Sequence, residues 1–129
     1  MSAIHEIDTA ASYAMIRKGA VLIDIREPHE VANKSFDVPE TLFIPLRQLG
    51  KRFQEIPKNH QVVIACHSGS RSTLATRFLI KQGYRKAVSM ERGMIGWERA
   101  GLPLKTRPKA VRVSWFKKLF GRVNAVQSD

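Results

Sequence analysis

Cysteine is almost absent from this sequence: Cys66 stands alone among 129 residues. A lone cysteine cannot close a disulfide within the chain, so nothing here calls for an oxidising compartment. Long apolar runs are missing too. None approaches the roughly 18 residues that suggest a membrane span, which leaves only peripheral membrane contact. The opening Met1-Ser2-Ala3-Ile4-His5-Glu6 has neither the basic start nor the apolar stretch of a secretory signal. Cytoplasmic residence is the resulting expectation, either free or peripheral at the inner face of a membrane. Metal ligands are sparse and scattered: His5, His29, His60 and His67 share no ligand spacing with one another or with Cys66. Neither a metal nor any other bound cofactor is therefore expected. Internal repeats and low-complexity segments are lacking as well.

Acidic residues are scarce, 11 against 22 lysines and arginines, for a net charge of +11. The excess is uneven. From Lys105 to Asp129 seven bases face one acid, +6, whereas the 104 residues before them hold fifteen bases and ten acids, +5. Such a balance favours anionic partners of any kind, small anions, lipid surfaces or nucleic acid, and selects none by itself. The length suits one ordinary domain with a real core, here residues 1–104, followed by a basic extension, 105–129.

Along the chain, Asp8 caps a helix predicted to run through Lys18, stopped by Gly19. Val21 to Ile25 reads as a buried strand. A short helix follows Pro28, Leu42-Phe43-Ile44 reads as a strand, and Leu46, Leu49 and Phe53 predict a helix to about Glu55, closed by Pro57. Val62 to Ala65 is another strand, and Ser72 to Gln82 is a helix with Leu74, Phe78 and Leu79 facing inward. Ala87 to Ser89 is a brief strand, and Met94 to Ala100 a helix ending at Gly101. Apolar strands alternating with helices imply an α/β fold with a mostly parallel sheet covered on both faces. Sites in such folds form outside the carboxyl ends of strands, and Cys66 stands at one.

The stretch VVIACHSGSRSTLA places that cysteine where an apolar strand meets a turn of Gly69 and three serines. A buried structural thiol is the plain alternative. The turn, however, leaves backbone N–H groups free at the start of the Ser72 helix, and these with the helix dipole make an anion cradle. A thiol there is suited to react as a thiolate. Arg71 adds a fixed cation and His67 one that depends on pH. Two chemistries fit: attack on a tetrahedral oxyanion such as a phosphoester or arsenate, or sulfur transfer through a persulfide. Four residues separate Cys66 from Arg71, one fewer than in the cysteine phosphatases, and the tighter ring suits a single sulfur better.

The sequence resembles the rhodanese family of single-domain sulfurtransferases. The resemblance runs from about Ile4 to Leu104 and is carried by GAVLIDIREPHE from Gly19 to Glu30, by Phe43-Ile44-Pro45-Leu46, and by Cys66-His67-Ser68-Gly69-Ser70-Arg71-Ser72. Gly93-Met94-Ile95-Gly96-Trp97 and Ala100-Gly101-Leu102-Pro103 complete it. It implies a twisted five-stranded parallel sheet between helices. It also implies that Cys66 accepts sulfur from a donor such as thiosulfate and passes it to a thiophilic acceptor, cyanide or a thiol. By position Cys66 is the persulfide-bearing nucleophile, and His67, Ser68, Gly69, Ser70, Arg71 and Ser72 supply the substrate-binding loop. Asp24 and Arg26 match the family's Asp-x-Arg and brace the site electrostatically, unless they form a surface salt bridge unrelated to activity.

The chain departs from the family pattern twice. Relatives usually carry arginine directly after the cysteine; His67 stands there instead, which predicts weaker use of thiosulfate, improving at acidic pH if the imidazole protonates. Phe36-Asp37-Val38-Pro39-Glu40-Thr41 stands where relatives commonly have Gly-His-Ile-Pro-Gly-Ala. Without those two glycines the connection is expected to run differently.

Beyond the resemblance, Ser114 caps a predicted helix whose Trp115, Phe116, Leu119, Phe120 and Val123 share one face, with Lys117, Lys118 and Arg122 away from it. Such a helix docks on its own domain, on an anionic membrane surface or on a partner protein. Nucleic acid is not expected, since no binding motif accompanies the charge. The leading expectation is thus a sulfurtransferase working through a Cys66 persulfide, and the alternative a non-catalytic binding or regulatory module recruited by its basic tail.

Overall fold

The computed structural model describes residues 5–107. Two segments, Val21–Asp24 (β2) and Val62–Ala65 (β5), are buried at every position, as an interior parallel strand covered on both faces must be. Their side chains alternate between two cores. Val21, Ile23, Ile25, Val62, Ile64 and Cys66 face one core, with Leu49, Ala75 and Leu79 from the covering helices. Leu22, Val63 and Ala65 face the other, with Ile16, Met94 and Trp97.

Around this pair stand β1 (Glu6–Ile7), β4 (Thr41–Phe43) and β6 (Ala87–Met90), giving a five-stranded sheet in the order β1-β6-β5-β2-β4 with every pairing parallel. Helices α3 (Leu46–Arg52) and α4 (Ser70–Lys81) cover the first core; α1 (Thr9–Arg17) and α5 (Gly93–Arg99) cover the second. The α/β architecture with helices on both faces is as the sequence predicts. From β2 the chain moves outward to β4, and from β5 it moves the opposite way to β6. The crevice between the ends of β2 and β5 is therefore the switch point where open parallel sheets form sites.

Local sequence explains the helix starts. The Asp8 carboxylate accepts from the Ala11 amide at 2.7 Å and caps α1. Pro28 opens α2 (Pro28–Asn33) at its first position, where a missing N–H costs nothing. The predicted helix from Leu46 to Glu55 divides into α3 and a 3-10 turn at Phe53–Glu55.

Two differences from expectation stand out. Leu74 is 59% exposed rather than inward: α4, which begins two residues earlier than predicted, turns Ser72, Ala75, Thr76 and Leu79 to the sheet, and that i, i+3, i+4, i+7 face leaves residue 74 out. A second sheet pairs β3 (Lys34–Phe36) antiparallel with β7 (Leu104–Thr106). The boundary expected after residue 104 falls inside β7, and the following Arg107 amide donates to the Asn33 carbonyl at 3.0 Å. The segment lacking the two glycines makes no left-handed turn at either place: Asn59 and Arg92 are the non-glycine residues with positive φ among those described. Phe36 instead fills the second core, edge-on to the buried Trp97 at 5.1 Å. The amphipathic helix expected around Trp115 to Val123 lies outside the described residues.

Candidate active site

At the end of β5 the chain turns sharply enough to bring its own amides back onto the Cys66 sulfur. Gly69 makes the turn with φ +107°, a left-handed conformation that favours glycine, and serves as the N-cap of α4. Its amide donates to Cys66 Sγ at 3.0 Å, and the Ser72 amide from the first turn of α4 does so at 3.3 Å. The thiol donates to Ser72 Oγ at 3.6 Å. That hydroxyl in turn donates to the Gly69 carbonyl at 3.0 Å and lies 2.8 Å from Ser89 Oγ of β6.

The outer side of the loop is strapped to α5. Met94 N–H donates to the Cys66 carbonyl at 2.9 Å and Ile95 N–H to the His67 carbonyl at 3.1 Å. With those carbonyls held by α5, the sulfur is left facing the amides of Gly69 and Ser72. Cys66, Ser72 and Ser89 are buried, while His67, Ser68 and Ser70 are exposed. The expected loop is thus assembled, but only two of its amides bond the sulfur itself.

At the neighbouring strand end, Asp24 and Arg26 are both buried, so their pair is not a surface salt bridge. The guanidinium grips the carboxylate with two bonds, Nε to Oδ1 at 2.9 Å and Nη2 to Oδ2 at 2.8 Å. It also lies over the Phe36 ring at 5.2 Å and donates to the Glu30 carbonyl at 3.4 Å. A buried charge needs this many partners to be tolerated.

Arg71 is where the structure departs most from a simple anion-binding loop. Its guanidinium is engaged by Glu30 of α2 through two parallel bonds of 2.9 Å. The Arg71 hydrogen bonds, set against partial burial, hold the Glu30 carboxyl down to about 2. Arg71 itself is pushed up, first by those bonds and further by the charges of Glu30 and of Cys66 nearby. Glu30 Oε1 also accepts the Glu27 amide at 2.9 Å, fixing it to the start of α2. Sequence reasoning passed over Glu30, Ser89 and Gly93 as site residues. Glu30 could have been noticed as the third helical residue after Glu27, where an acidic side chain reaches back to the cap; nothing local marks its partner, 41 positions away.

The family model for the rhodanese-like domain matches residues 9–100. A sulfurtransferase of Allochromatium vinosum is 37% identical over 103 residues, covering 78% of this chain and 94% of that protein. The thiosulfate sulfurtransferase GlpE of Actinobacillus pleuropneumoniae is 32% identical, with 78% and 93% covered. Among solved structures, a rhodanese-related protein from Thermoplasma volcanium superposes with a TM-score of 0.72 at 27% identity, covering 80% of this chain and 99% of its own. The chain belongs to the rhodanese-like family, and these curated relatives support sulfur transfer as its general chemistry.

Proposed function

We propose that the protein moves a sulfane sulfur from a donor such as thiosulfate to a thiophilic acceptor, cyanide or a thiol, through a persulfide on Cys66. The single observation that carries this reading is the pair of amide donors, from Gly69 and Ser72, aimed at Cys66 Sγ at the switch point of the sheet. The Cys66 thiolate attacks the outer sulfur of thiosulfate, a new S–S bond forms, and sulfite departs with the electron pair of the bond that breaks. The acceptor then attacks the terminal sulfur of the persulfide and restores the thiolate. Fixed N–H donors suit both anionic forms of the sulfur, and they need no reorganisation between the two steps. Asp24 and Arg26 support the adjacent strand end without reacting. No cofactor is required, because the sulfur travels covalently. The working place of such chemistry is a reducing cytoplasm, in keeping with a single free thiol.

Intact-protein mass spectrometry after thiosulfate, then after cyanide, tests the reading on the wild type and on Cys66→Ser. A gain of one sulfur that requires Cys66 and is removed by cyanide is expected. No gain from thiosulfate or from a stronger persulfide donor would move the binding or regulatory module recruited by the basic tail to first place.

A further inference from the structure

Three arginines near the ends of β2 and β5 are each paired with a carboxylate. Arg26 is gripped by Asp24, Arg47 meets Glu27 at 3.1 Å, and Arg71 is clasped by Glu30. On the β6 side the exposed Arg92, at the N-cap of α5, directly follows the exposed Glu91. The residue after the nucleophile is a histidine rather than a permanent cation. An anion entering the site meets two amides on the sulfur, while the loop's own fixed cation, Arg71, is already compensated by Glu30.

From this geometry we infer that Glu30 determines donor specificity, by cancelling the Arg71 charge and so favouring singly charged thiol persulfides over doubly charged thiosulfate. The inference rests on the Cys66 persulfide reading. Thiosulfate brings two negative charges toward a thiolate and must release sulfite, which carries two away. A thiol persulfide, RSS−, brings one; its S–S bond breaks, the terminal sulfur joins Cys66, and RS− leaves with the electron pair. Both exchanges balance, but the first needs an uncompensated cation near the sulfur and the second needs it far less. Arg71 directly precedes Ser72, whose amide donates to the Cys66 sulfur at 3.3 Å, so its neutralisation acts beside the place where the charge develops. Glu30 never touches the reacting atoms. It is a positioning residue that works through Arg71, held in place by the Glu27 amide at 2.9 Å.

The test compares single-turnover persulfide formation on the full-length protein with two donors, thiosulfate and cysteine persulfide, whose ammonium and carboxylate cancel and leave the single charge of the persulfide. In the wild type the persulfide is expected to react about tenfold faster or more. Glu30→Gln keeps the shape of the side chain and removes its charge, and is expected to raise the thiosulfate rate about tenfold, shifting the donor ratio toward thiosulfate. Adding Arg71→Gln to that variant should abolish the gain. A merely structural role would lower both rates together and leave the ratio unmoved, which would overturn the inference. So would a wild type that prefers thiosulfate, a measurement that needs no variant to fold. Absence of any Cys66-dependent mass gain with either donor would instead overturn the underlying sulfurtransferase reading, and this inference with it.

Discussion

The carbonyl of Cys66 occupies the space that a side chain on residue 93 would need. A Cβ built on Gly93 would stand under 3.0 Å from that oxygen and from the carbonyl carbon behind it, and the residue has φ +44°. Only glycine allows α5 to approach closely enough for the Met94 amide to hold the loop. Gly93→Ala is therefore expected to displace the loop, cost about 1–3 kcal/mol of stability and slow persulfide formation. Denaturation curves and the mass assay on the same variant check both halves. A variant with unchanged stability and rate would show that the strap is dispensable.

Ser72 and Ser89 share a buried hydroxyl pair, and Ser72 links it to both the sulfur and the Gly69 carbonyl. Removing one member strands the other. Ser72→Ala should cost about 1–3 kcal/mol because Ser89 loses its partner. Adding Ser89→Ala should then cost less than the sum of the single changes, a coupling that a double-mutant cycle measures. Persulfide formation should survive in Ser72→Ala at a rate within about tenfold, since the backbone amide of residue 72 remains. Strictly additive stabilities would mean the hydroxyls are independent.

Much of this fold is legible in the sequence because β2 and β5 are apolar throughout and their neighbours carry helical periodicity, caps and glycine stops. The nucleophile is legible for the same reason: its loop is continuous in sequence, so residues 66–72 announce their own geometry. What escapes is set by pairing over distance. Strands β1, β3 and β7 have two or three residues each, too few for a period, and β3 meets β7 across some 70 residues. The Glu30–Arg71 clasp hides likewise, since a carboxylate on one helix gives no local sign of the guanidinium it will meet. Leu74 misleads because it is apolar and near Phe78, yet it lies about 140° around the helix from Leu79, and the inward face is set by Ser72, Ala75, Thr76 and Leu79, three of them too small or polar to be read as core.

His67→Arg restores a permanent cation beside the nucleophile. His67 is exposed, so the larger side chain needs no repacking, and the effect should appear in function rather than stability. The expected result is a thiosulfate kcat/KM higher by about three- to tenfold with little change in melting temperature. Unchanged thiosulfate kinetics would remove charge at this position as the reason for weak use of that donor.

The Arg71–Glu30 clasp also gives stability a definite pH dependence. Folding lowers the Glu30 carboxyl from its ordinary 4.5 to about 2, chiefly through the Arg71 hydrogen bonds. The folded form therefore binds this proton less readily than the unfolded chain. Its contribution is fully present above pH 4.5 and is lost as pH falls through 2. Glu30→Gln should thus be less stable than the wild type at pH 7, by on the order of 1–3 kcal/mol, and the difference should shrink steadily below pH 4.5. Urea denaturation of both proteins at several pH values reads this directly. A difference that stays constant down to pH 2.5 would assign the stabilisation to packing instead of charge.

The basic extension supplies a last prediction, about where the enzyme works. The described chain ends at Arg107, tied to the last residue of α2, and the residues from 105 onward carry an excess of six positive charges in the sequence. Clusters of Lys and Arg near an anionic surface contribute about 1 kcal/mol each, and the sequence places Trp115, Phe116, Leu119 and Phe120 on one helical face beside them. An isolated helix of this length is marginal in water, so a surface that accepts the aromatic face would stabilise it. The full-length protein should therefore sediment with vesicles containing phosphatidylserine and much less with neutral vesicles, and added salt should release it. A chain ending at Lys109 should remain in the supernatant with both. Equal sedimentation of the two forms would exclude the extension as a membrane contact and leave its own domain or a protein partner as the surface that receives those aromatic side chains.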